Sequence, residues 1–439
     1  MNRFLSVLLF LFTLLPRIGS AQVPGDTALS SGSLDNIIQY ALKHQPVIQK
    51  AQLNEQITKS QVNSRLADWY PQIAYNYNLQ HNFQLQTTVF QGNIVRLGNE
   101  NTSVNQFAYT QNILNPALVY TAASAKDVRK LASEQVTGNK IDVVAAVSKA
   151  FYDVLLTQQQ IKVAAETIVR LERSVKDARN QYQSGIVDKT DYQRATILLN
   201  NSVALKKSSE EALNAKLQYL KTLMGYPAKA ELILDYDTTT LEKDLQFNSP
   251  ASPDFNNRIE YVQLQTQRKL NVAGLQYSKY AFLPSIGGFA AYNLNYLNNN
   301  ISDLYSKAYP NSYAGLTLSF PIVVGGKRWM GIRQAQWQLK KADWDITDLQ
   351  NNMNAEYAAA LAAYNSNMAG YNAQKENLQL ADDVYRVIQL QYRSGVKTYL
   401  EVLVAETDLR TAQINYYNAL FQVLASKVDL QKALGQINY

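Results

Sequence analysis

The 439-residue chain contains no cysteine and only two histidines, His44 and His81. Disulfides and thiolate metal sites are thereby excluded, as is a lipid anchor on an N-terminal cysteine. Two histidines this far apart in the sequence are too few for a zinc site, and no cofactor is implied. Charge is sparse as well: Asp, Glu, Lys and Arg make up 18% of the residues, with a formal net charge of +7. The basic residues are dispersed rather than clustered, which argues against a nucleic-acid partner. No nucleophile motif and no phosphate-cradling glycine loop is present, so nothing points to an enzyme. Beyond residue 21 no run of eighteen apolar residues occurs, and no helix is expected to span a bilayer. If the chain crosses a membrane, it does so with strands.

The first 21 residues have the form of an export signal. Arg3 starts it, Phe4 to Leu15 is largely apolar, and Gly19-Ser20-Ala21 offers the small residues a signal peptidase needs. Cleavage before Gln22 would remove Arg3 and Arg17 and lower the formal charge from +7 to +5.

The mature chain is one unit written twice. Gln181-Tyr182-Gln183-Ser184-Gly185 returns 210 positions later as Gln391-Tyr392-Arg393-Ser394-Gly395. The same offset relates Asp191 to Glu401, Ala195 to Ala405 and Gly225 to Gly435. Upstream, Trp69-Tyr70-Pro71-Gln72-Ile73 is answered by Phe282-Leu283-Pro284-Ser285-Ile286. Pseudo-symmetric units of this length build a shared tube, groove or ring more readily than one catalytic pocket. The boundaries read from the sequence are 22–225 for the first repeat, 226–257 for a small equatorial region rich in proline, and 258–439 for the second repeat.

Each repeat contains a long segment almost free of helix breakers, Asn115 to Gly185, with no proline after Pro116, and Gly325 to Gly395. About 70 helical residues reach roughly 100 Å. Val147, Val154, Ile161, Ile168, Val175 and Tyr182 are each seven apart; the second copy has Tyr357, Tyr364, Tyr371, Leu378, Tyr385 and Tyr392 in that register. Three residues beyond the first series lie Ala150, Thr157, Ala164, Leu171 and Ala178, mostly small. Such heptads predict coiled-coil packing. Gly185 and Gly395 suit the left-handed residue that stops a helix, and a second helix then returns to Gly225 and Gly435. Trp337 and Trp344, seven apart, are expected to pack within this helical part.

Four short segments alternate instead. Ile73, Tyr75, Tyr77 and Leu79 interleave with Gln72, Asn76, Asn78 and Gln80, and three similar segments precede Leu114, follow Pro284 and end at Phe320. About ten residues with one apolar and one polar face is the pattern of a membrane β-barrel strand. Trp69, Tyr70, Tyr280 and Phe282 flank two strand starts and suit a membrane–water interface. His81–Ser103 and Asn298–Pro310, rich in Asn and Gln, are read as loops outside the membrane. Four strands cannot close a barrel, and an open edge is not tolerated in lipid, so several chains must pool their strands.

In order and spacing, these features resemble the TolC-type outer-membrane efflux proteins. Further marks are Tyr109-Thr110-Gln111-Asn112-Ile113-Leu114, Leu318-Ser319-Phe320-Pro321-Ile322, and Arg258-Ile259-Glu260, in which Ile replaces the family's Pro. The resemblance implies a mixed α and β membrane protein of the Gram-negative outer membrane. Three chains, each with four transmembrane strands and long coiled-coil hairpins, would form a 12-stranded β-barrel in lipid, continuous with a periplasmic α-helical barrel. The implied partners are two further copies, a periplasmic adaptor and an inner-membrane pump, and the implied function is export. A structural coiled coil or adhesin of the envelope is the competing reading.

The resemblance also assigns roles. Ser184, Gly185 and Ile186, with Ser394, Gly395 and Val396, match adaptor-contacting positions, although a plain helix stop explains the same residues. Tyr392 with Asp191, and Lys397 with Thr190, match links that hold neighbouring hairpins closed, although Tyr392 also continues the heptad. Glu401 matches a carboxylate ring at the tunnel constriction, the next ring being absent at Val404. Thr398-x-x-Glu401 is equally a capping box, and Asp188 and Asp191 are placed to cap the first return helix in the same way.

Overall fold

A computed structural model describes residues 32–185, 188–236, 238–243, 245, 247 and 253–439; the signal segment 1–21 and Ile186 lie outside the described residues. Two helices open the described chain, α1 (Leu34–His44) and α2 (Pro46–Ala67). Ser33 caps α1 by accepting from the Asn36 amide at 3.5 Å, and Pro46 starts α2 where its missing N–H costs nothing. Strands β1 (Gln72–His81), β2 (Gln86–Phe90), β3 (Asn93–Leu97) and β4 (Asn101–Leu114) follow. The first helical hairpin is α3 (Pro116–Gln183) and α4 (Lys189–Met224), and α5 (Thr238–Lys243) lies between the repeats. The second repeat runs α6 (Ile259–Tyr280), β5 (Ser285–Asn298), β6 (Ala308–Ser319), α7 (Lys327–Arg393) and α8 (Tyr399–Leu434).

The four long strands form one antiparallel sheet in the order β1-β4-β5-β6. The register aligns Ile73 with Tyr109, Ala290 and Ala314, and Tyr75 with Phe107, Tyr292 and Ser312, so these positions share one face. Ile73, Tyr75, Tyr77 and Leu79 are exposed on it. Asn76, Gln106 and Asn293 line up on the opposite, polar face, where Asn76 donates to Gln106 at 3.1 Å. A bulge between Asn112 and Leu114 shifts the parity, so Leu114 joins Ile286 and Leu318 on the apolar face. Strands β1 and β6 each leave one edge unpaired in the sheet. Among the described residues no helix is long and apolar enough to cross a membrane.

Two details of the sheet region depart from the sequence reading. The stretch His81–Ser103 is not merely a loop: it holds the β2–β3 hairpin, turned by Gln91 and Gly92 with φ of 50° and 81°. Two positive φ values give the turn whose twist matches a hairpin. In Asn298–Pro310, a short 3-10 turn (Ile301–Asp303) buries Leu304 before β6 begins at Ala308.

The coiled-coil reading holds, with a shift of seam. In α3 the small series Ala150, Thr157, Ala164, Leu171 and Ala178 is buried throughout, whereas Ile161, Ile168 and Val175 are only partly so. In α7 the tyrosine series itself is buried at Tyr357, Tyr364, Tyr371 and Tyr385. Their hydroxyls find partners: Tyr364 donates to the Leu245 carbonyl at 2.7 Å. The equatorial segment docks here, with Leu232, Leu234, Leu241 and Leu245 buried in the main core beside Phe151, Leu155 and Leu420. Glu242 accepts from Lys375 at 2.8 Å and from the Tyr416 hydroxyl. Burial opposes its ionisation, but these hydrogen bonds win and hold the carboxyl below its ordinary range. Trp337 and Trp344 do not pack in this chain: they are 61% and 66% exposed. Ala335 and Ala342 occupy the buried face, and two residues further on is about 200° round the helix.

Each return helix ends on its own repeat's opening helix. Gly225 and Gly435 both have φ of 68°, and their closing bonds run from Tyr226 to Lys221 and from Gln436 to Gln431, each at 2.8 Å. A Cβ on Gly225 would sit 2.6 Å from the His44 carbonyl oxygen, and one on Gly435 would sit 2.3 Å from that of Asn257. The next residue then completes the cap. The Gln45 side-chain amide donates to the Leu223 carbonyl at 2.8 Å, and the Arg258 guanidinium donates to the Ala433 carbonyl at 3.1 Å. Orphan carbonyls at helix ends are thus satisfied from 177 or more residues away in the first repeat and 175 in the second. Arg258 also binds Glu260 and Glu356, both at 3.0 Å.

These surroundings separate glycines of equal backbone conformation. Gly395 has φ of 76° but nothing within 4 Å of its would-be Cβ. Gly395→Ala should cost only the left-handed penalty, about 1–2 kcal/mol. Gly435→Ala must in addition displace backbone and should lower the melting temperature distinctly more. Equal melting shifts in circular dichroism would contradict the tight-seat account.

Candidate functional site at the hairpin tips

Both hairpins stop by the same local chemistry. At the first tip the Ser184 hydroxyl donates to the Asn180 carbonyl at 2.9 Å and the Gly185 amide to Tyr182 at 3.0 Å. At the second, the Ser394 hydroxyl donates to Leu390 at 3.1 Å, the Gly395 amide to Tyr392 at 3.0 Å and the Val396 amide to Gln391 at 2.9 Å. Serine returns its hydroxyl to the preceding turn and glycine takes the left-handed step, with φ of 72° and 76°. The Gly395 and Val396 amides are therefore consumed by the turn itself and are not free for a partner. What the second tip offers outward is the Val396 side chain, which is largely exposed.

Between the tips lies an open cleft of about 860 Å³ lined by Asp177, Gln181, Gly185, Asp191, Tyr392 and Lys397 among others. The structure thus brings Asp191, Tyr392 and Lys397 together from three different helix ends, while Thr190 and Glu401 lie outside the lining. Their partners within one chain differ from the links expected between neighbouring hairpins. The Tyr392 hydroxyl donates to Gln181 at 2.9 Å rather than to Asp191. The Lys397 ammonium donates to Glu401 at 2.6 Å rather than to Thr190. Gln181 opens the first signature and repeats at Gln391, but that spacing gives no sign that it accepts from Tyr392.

The capping box at the start of α8 is present in full. Glu401 accepts from the Thr398 amide at 2.9 Å and hydroxyl at 3.0 Å, and its own amide donates to the Thr398 hydroxyl at 3.4 Å. Lys397 and these two donors pull its carboxyl down to about 2. Both carboxylate oxygens are engaged, so the charge is paired rather than bare. The first return helix lacks this device. Asp188 stands at its N-cap without any side-chain capping bond, correcting the expectation that Asp188 and Asp191 would cap α4 as Thr398 and Glu401 cap α8. An aspartate is one methylene shorter than the glutamate and reaches back less far.

Behind the tips the two hairpins are joined by contacts that the sequence did not announce. Ala178, Ala195, Tyr399 and Leu403 form a small buried cluster, with Tyr392 packed against it and its ring 5.7 Å from that of Tyr399. Burial pushes the Tyr399 phenol up to about 12. Deeper, the Arg170 guanidinium of α3 donates to the buried Glu406 of α8 at 2.8 Å and to Thr167 at 3.1 Å. Tyr385 of α7 is raised to about 12, by burial first and then by the facing Glu406 carboxylate. Glu406 is buried, so removing Arg170 would strand a charge at a cost of roughly 3–5 kcal/mol. Ile197, Leu400 and Val404 expose apolar side chains beside a groove between α4 and α8. Among the described residues no cluster of His, Asp or Glu has the makings of a metal site.

A sheet with one apolar face, two open edges and helical hairpins too polar for lipid defines an envelope protein that enters the membrane with strands and extends away from it as coiled coil. The chain matches the model of the outer membrane efflux protein family over residues 37–226 and 256–436, most of its length. It belongs to that family. The outer membrane protein TolC of Escherichia coli is 20% identical over 444 residues, covering 97% of this chain and 87% of that protein. The toluene efflux pump outer membrane protein TtgC of Pseudomonas putida is 24% identical over 321 residues, covering 70% of this chain and 63% of that one. The crystal structure of the outer membrane protein VceC of Vibrio cholerae superposes with a TM-score of 0.73 at 14% identity, covering 92% of this chain and 96% of that chain. The chain is accordingly a protein of the Gram-negative outer membrane whose helices extend into the periplasm.

The cap at α8 carries a pH signature. The folded carboxyl of Glu401 sits below its ordinary value, so its contribution is complete above the ordinary carboxylate range and is lost as pH falls towards 2. The melting difference between wild type and Glu401→Gln should shrink steadily as pH is lowered from about 6 to about 2. Thr398→Ala, which removes the cap donor and acceptor, should cost about 1 kcal/mol. A Glu401→Gln difference that is flat with pH would mean the carboxylate contributes nothing to the fold.

Proposed function

We propose that this chain is the outer-membrane duct of a tripartite export system, working as a homotrimer. The observation that carries the reading is the four-stranded sheet whose two edges are both unpaired while one face is apolar and the other polar. Backbone groups cannot be left unpaired in hydrocarbon, so the edges must be closed by other copies. Three copies make twelve strands, an even number within the range of single barrels. The polar face then surrounds water, and the apolar face meets lipid. In the helical layer α2 and α7 stand at the flanks next to β1 and β6, so the same closure that joins the sheets joins the helices into a tunnel. In this reading an inner-membrane pump supplies the cargo and a periplasmic adaptor couples the pump to the hairpin tips. The chain itself breaks no bonds, and residues 22–225 and 258–439 act as two half-units about the equatorial segment 226–257.

The tip residues Ser184, Gly185, Ile186, Ser394, Gly395 and Val396 seat the adaptor by shape and side-chain contact. Gating falls to the cleft beside them. The Lys397 ammonium keeps donors beyond the one given to Glu401, and one of them serves the link to Thr190 of a neighbouring hairpin. Tyr392 has a single proton, spent on Gln181, so a link to Asp191 must compete with that bond. Three symmetry copies of such links, each worth about 0.5–1.5 kcal/mol, suffice to keep an open state rare. Glu401 contributes a ring of Lys–Glu pairs at the constriction, a weaker cation filter than bare carboxylates.

Native mass spectrometry of the detergent-extracted protein should give a trimer, and planar-bilayer recordings should show conductance that rises several-fold in Tyr392→Phe with Lys397→Ser. A stable folded monomer without conductance would favour the structural coiled-coil or adhesin reading. For docking, Gly185→Val combined with Gly395→Val should abolish export while trimer yield stays near normal. Persisting export would remove the tips as the adaptor site.

A further inference from the structure

Just below the strand–helix junction, a cleft of about 200 Å³ opens between the start of α3 and the end of α6. Leu114, Val119, Tyr120, Ala123, Ala273 and Tyr277 line it, and Tyr280 and Leu283 stand at its upper end. The space exists because Ala123 and Ala273 are small while Tyr120 and Tyr277 hold each other at 5.0 Å between ring centres. The Tyr120 phenol lies over α6 at Gly274, whose would-be Cβ would be in ordinary contact with its oxygen at 3.9 Å. Almost all of the lining is apolar or aromatic, and Val119, Tyr280 and Leu283 are exposed.

Two facts bear on what fills it. First, the cleft prolongs the apolar face of the sheet. Leu114, which lines it, is the register partner of Ile286, which pairs with Leu318 on the face that carries Ile73 and Tyr75. Second, the α3–α6 seam is in the middle of the helical layer, whose flanks are α2 and α7. A second copy that meets β1, β6, α2 or α7 therefore leaves the seam open. The helices extend into the periplasm, so the end of the apolar face that meets the cleft is the inner-leaflet end. Lys279, exposed in the last turn of α6 beside Tyr280, supplies a cation there for a lipid phosphate.

We propose that this cleft seats one acyl chain of an inner-leaflet phospholipid of the outer membrane. The aromatic walls and alanine floor exclude water and accept methylenes, while Tyr280 and Lys279 meet the glycerol and phosphate at the mouth. The site is built within one chain and does not depend on the trimer or on export. Lipid held there fixes the height of the sheet–helix junction against the membrane surface.

The test uses the full-length protein extracted in mild detergent and analysed by native mass spectrometry with lipid identification. Wild type should retain phospholipid, and Ala123→Phe or Ala273→Phe, which fill the cleft, should lower the amount per chain by about five-fold or more. Val119→Asn, at an exposed lining position, should give a smaller loss without disturbing the core. In vesicles of phosphatidylethanolamine brominated on the acyl chain, the added emission of Tyr277→Trp should be quenched relative to unbrominated vesicles, and Ala123→Phe in that background should relieve the quenching. Equal phospholipid retention in wild type and in whichever of these variants inserts would overturn the proposal. So would retention of detergent or free fatty acid alone, or equal Tyr277→Trp emission in both vesicles.

Discussion

A backbone N–H or C=O in hydrocarbon has no water to turn to, and the sheet of this protein presents two rows of such groups along β1 and β6. Everything else is arranged around that demand. Strands of ten to fourteen residues suit the thickness of a bilayer, and alternation along β1 puts Ile73, Tyr75, Tyr77 and Leu79 on one side and Gln72, Asn76, Asn78 and Gln80 on the other. The helices that enter and leave the sheet inherit its order, so that α2 and α7 flank the layer just as β1 and β6 flank the sheet. Closure at one level therefore enforces closure at the other, and a chain that satisfies its strand edges is committed to a tube.

The duplication makes this economical because each half solves the same local problem with related pieces. Gly225 and Gly435 share a φ of 68° and press against the residue before the next helix cap, His44 in one half and Asn257 in the other. The capping side chain differs: Gln45 is neutral, whereas Arg258 is charged and draws in Glu260 and Glu356. Burial of a guanidinium is costly unless its donors are filled, and here carboxylates and the Ala433 carbonyl fill them. The tips diverge in the same manner. One return helix has a full capping box, and the other has an aspartate at the N-cap that makes no capping bond.

Stability is unevenly distributed along the hairpins. The main hydrophobic cluster gathers α1, α3, α4, α7, α8 and the equatorial leucines near mid-height, whereas the cluster behind the tips has only four buried residues, two of them alanine. Burying a large side chain contributes roughly 1.5–3 kcal/mol, so the middle is anchored far more firmly than the ends. The tips are therefore held by less apolar burial than the middle, and the Arg170–Glu406 pair lies between the two clusters.

The sequence by itself determined whatever depends on period and on backbone chemistry. Heptads, alternation, the glycine stops and the Thr398–Glu401 cap all follow from near neighbours in the chain, and the 210-residue echo located both hairpins. The family followed from the order of these parts. The tertiary structure alone decided what depends on side chains far apart in the sequence. Gln181 rather than Asp191 holds Tyr392, 211 residues away, and Glu406 meets Arg170 across 236 residues. Trp337 and Trp344 keep a helical spacing whether they face the core or solvent, and only the position of α6 beside α7, seen in the Arg268–Asp343 pair, turned Ala335 and Ala342 inward instead. The β2–β3 hairpin is weakly signalled because Gln91-Gly92 is a poorer turn signal than Asn-Gly or Asp-Gly, although Thr87-Thr88-Val89-Phe90 and Ile94-Val95 on either side suit strands. Local pattern specifies which face a residue occupies on its own element; which neighbour covers that face is a property of the packed chain.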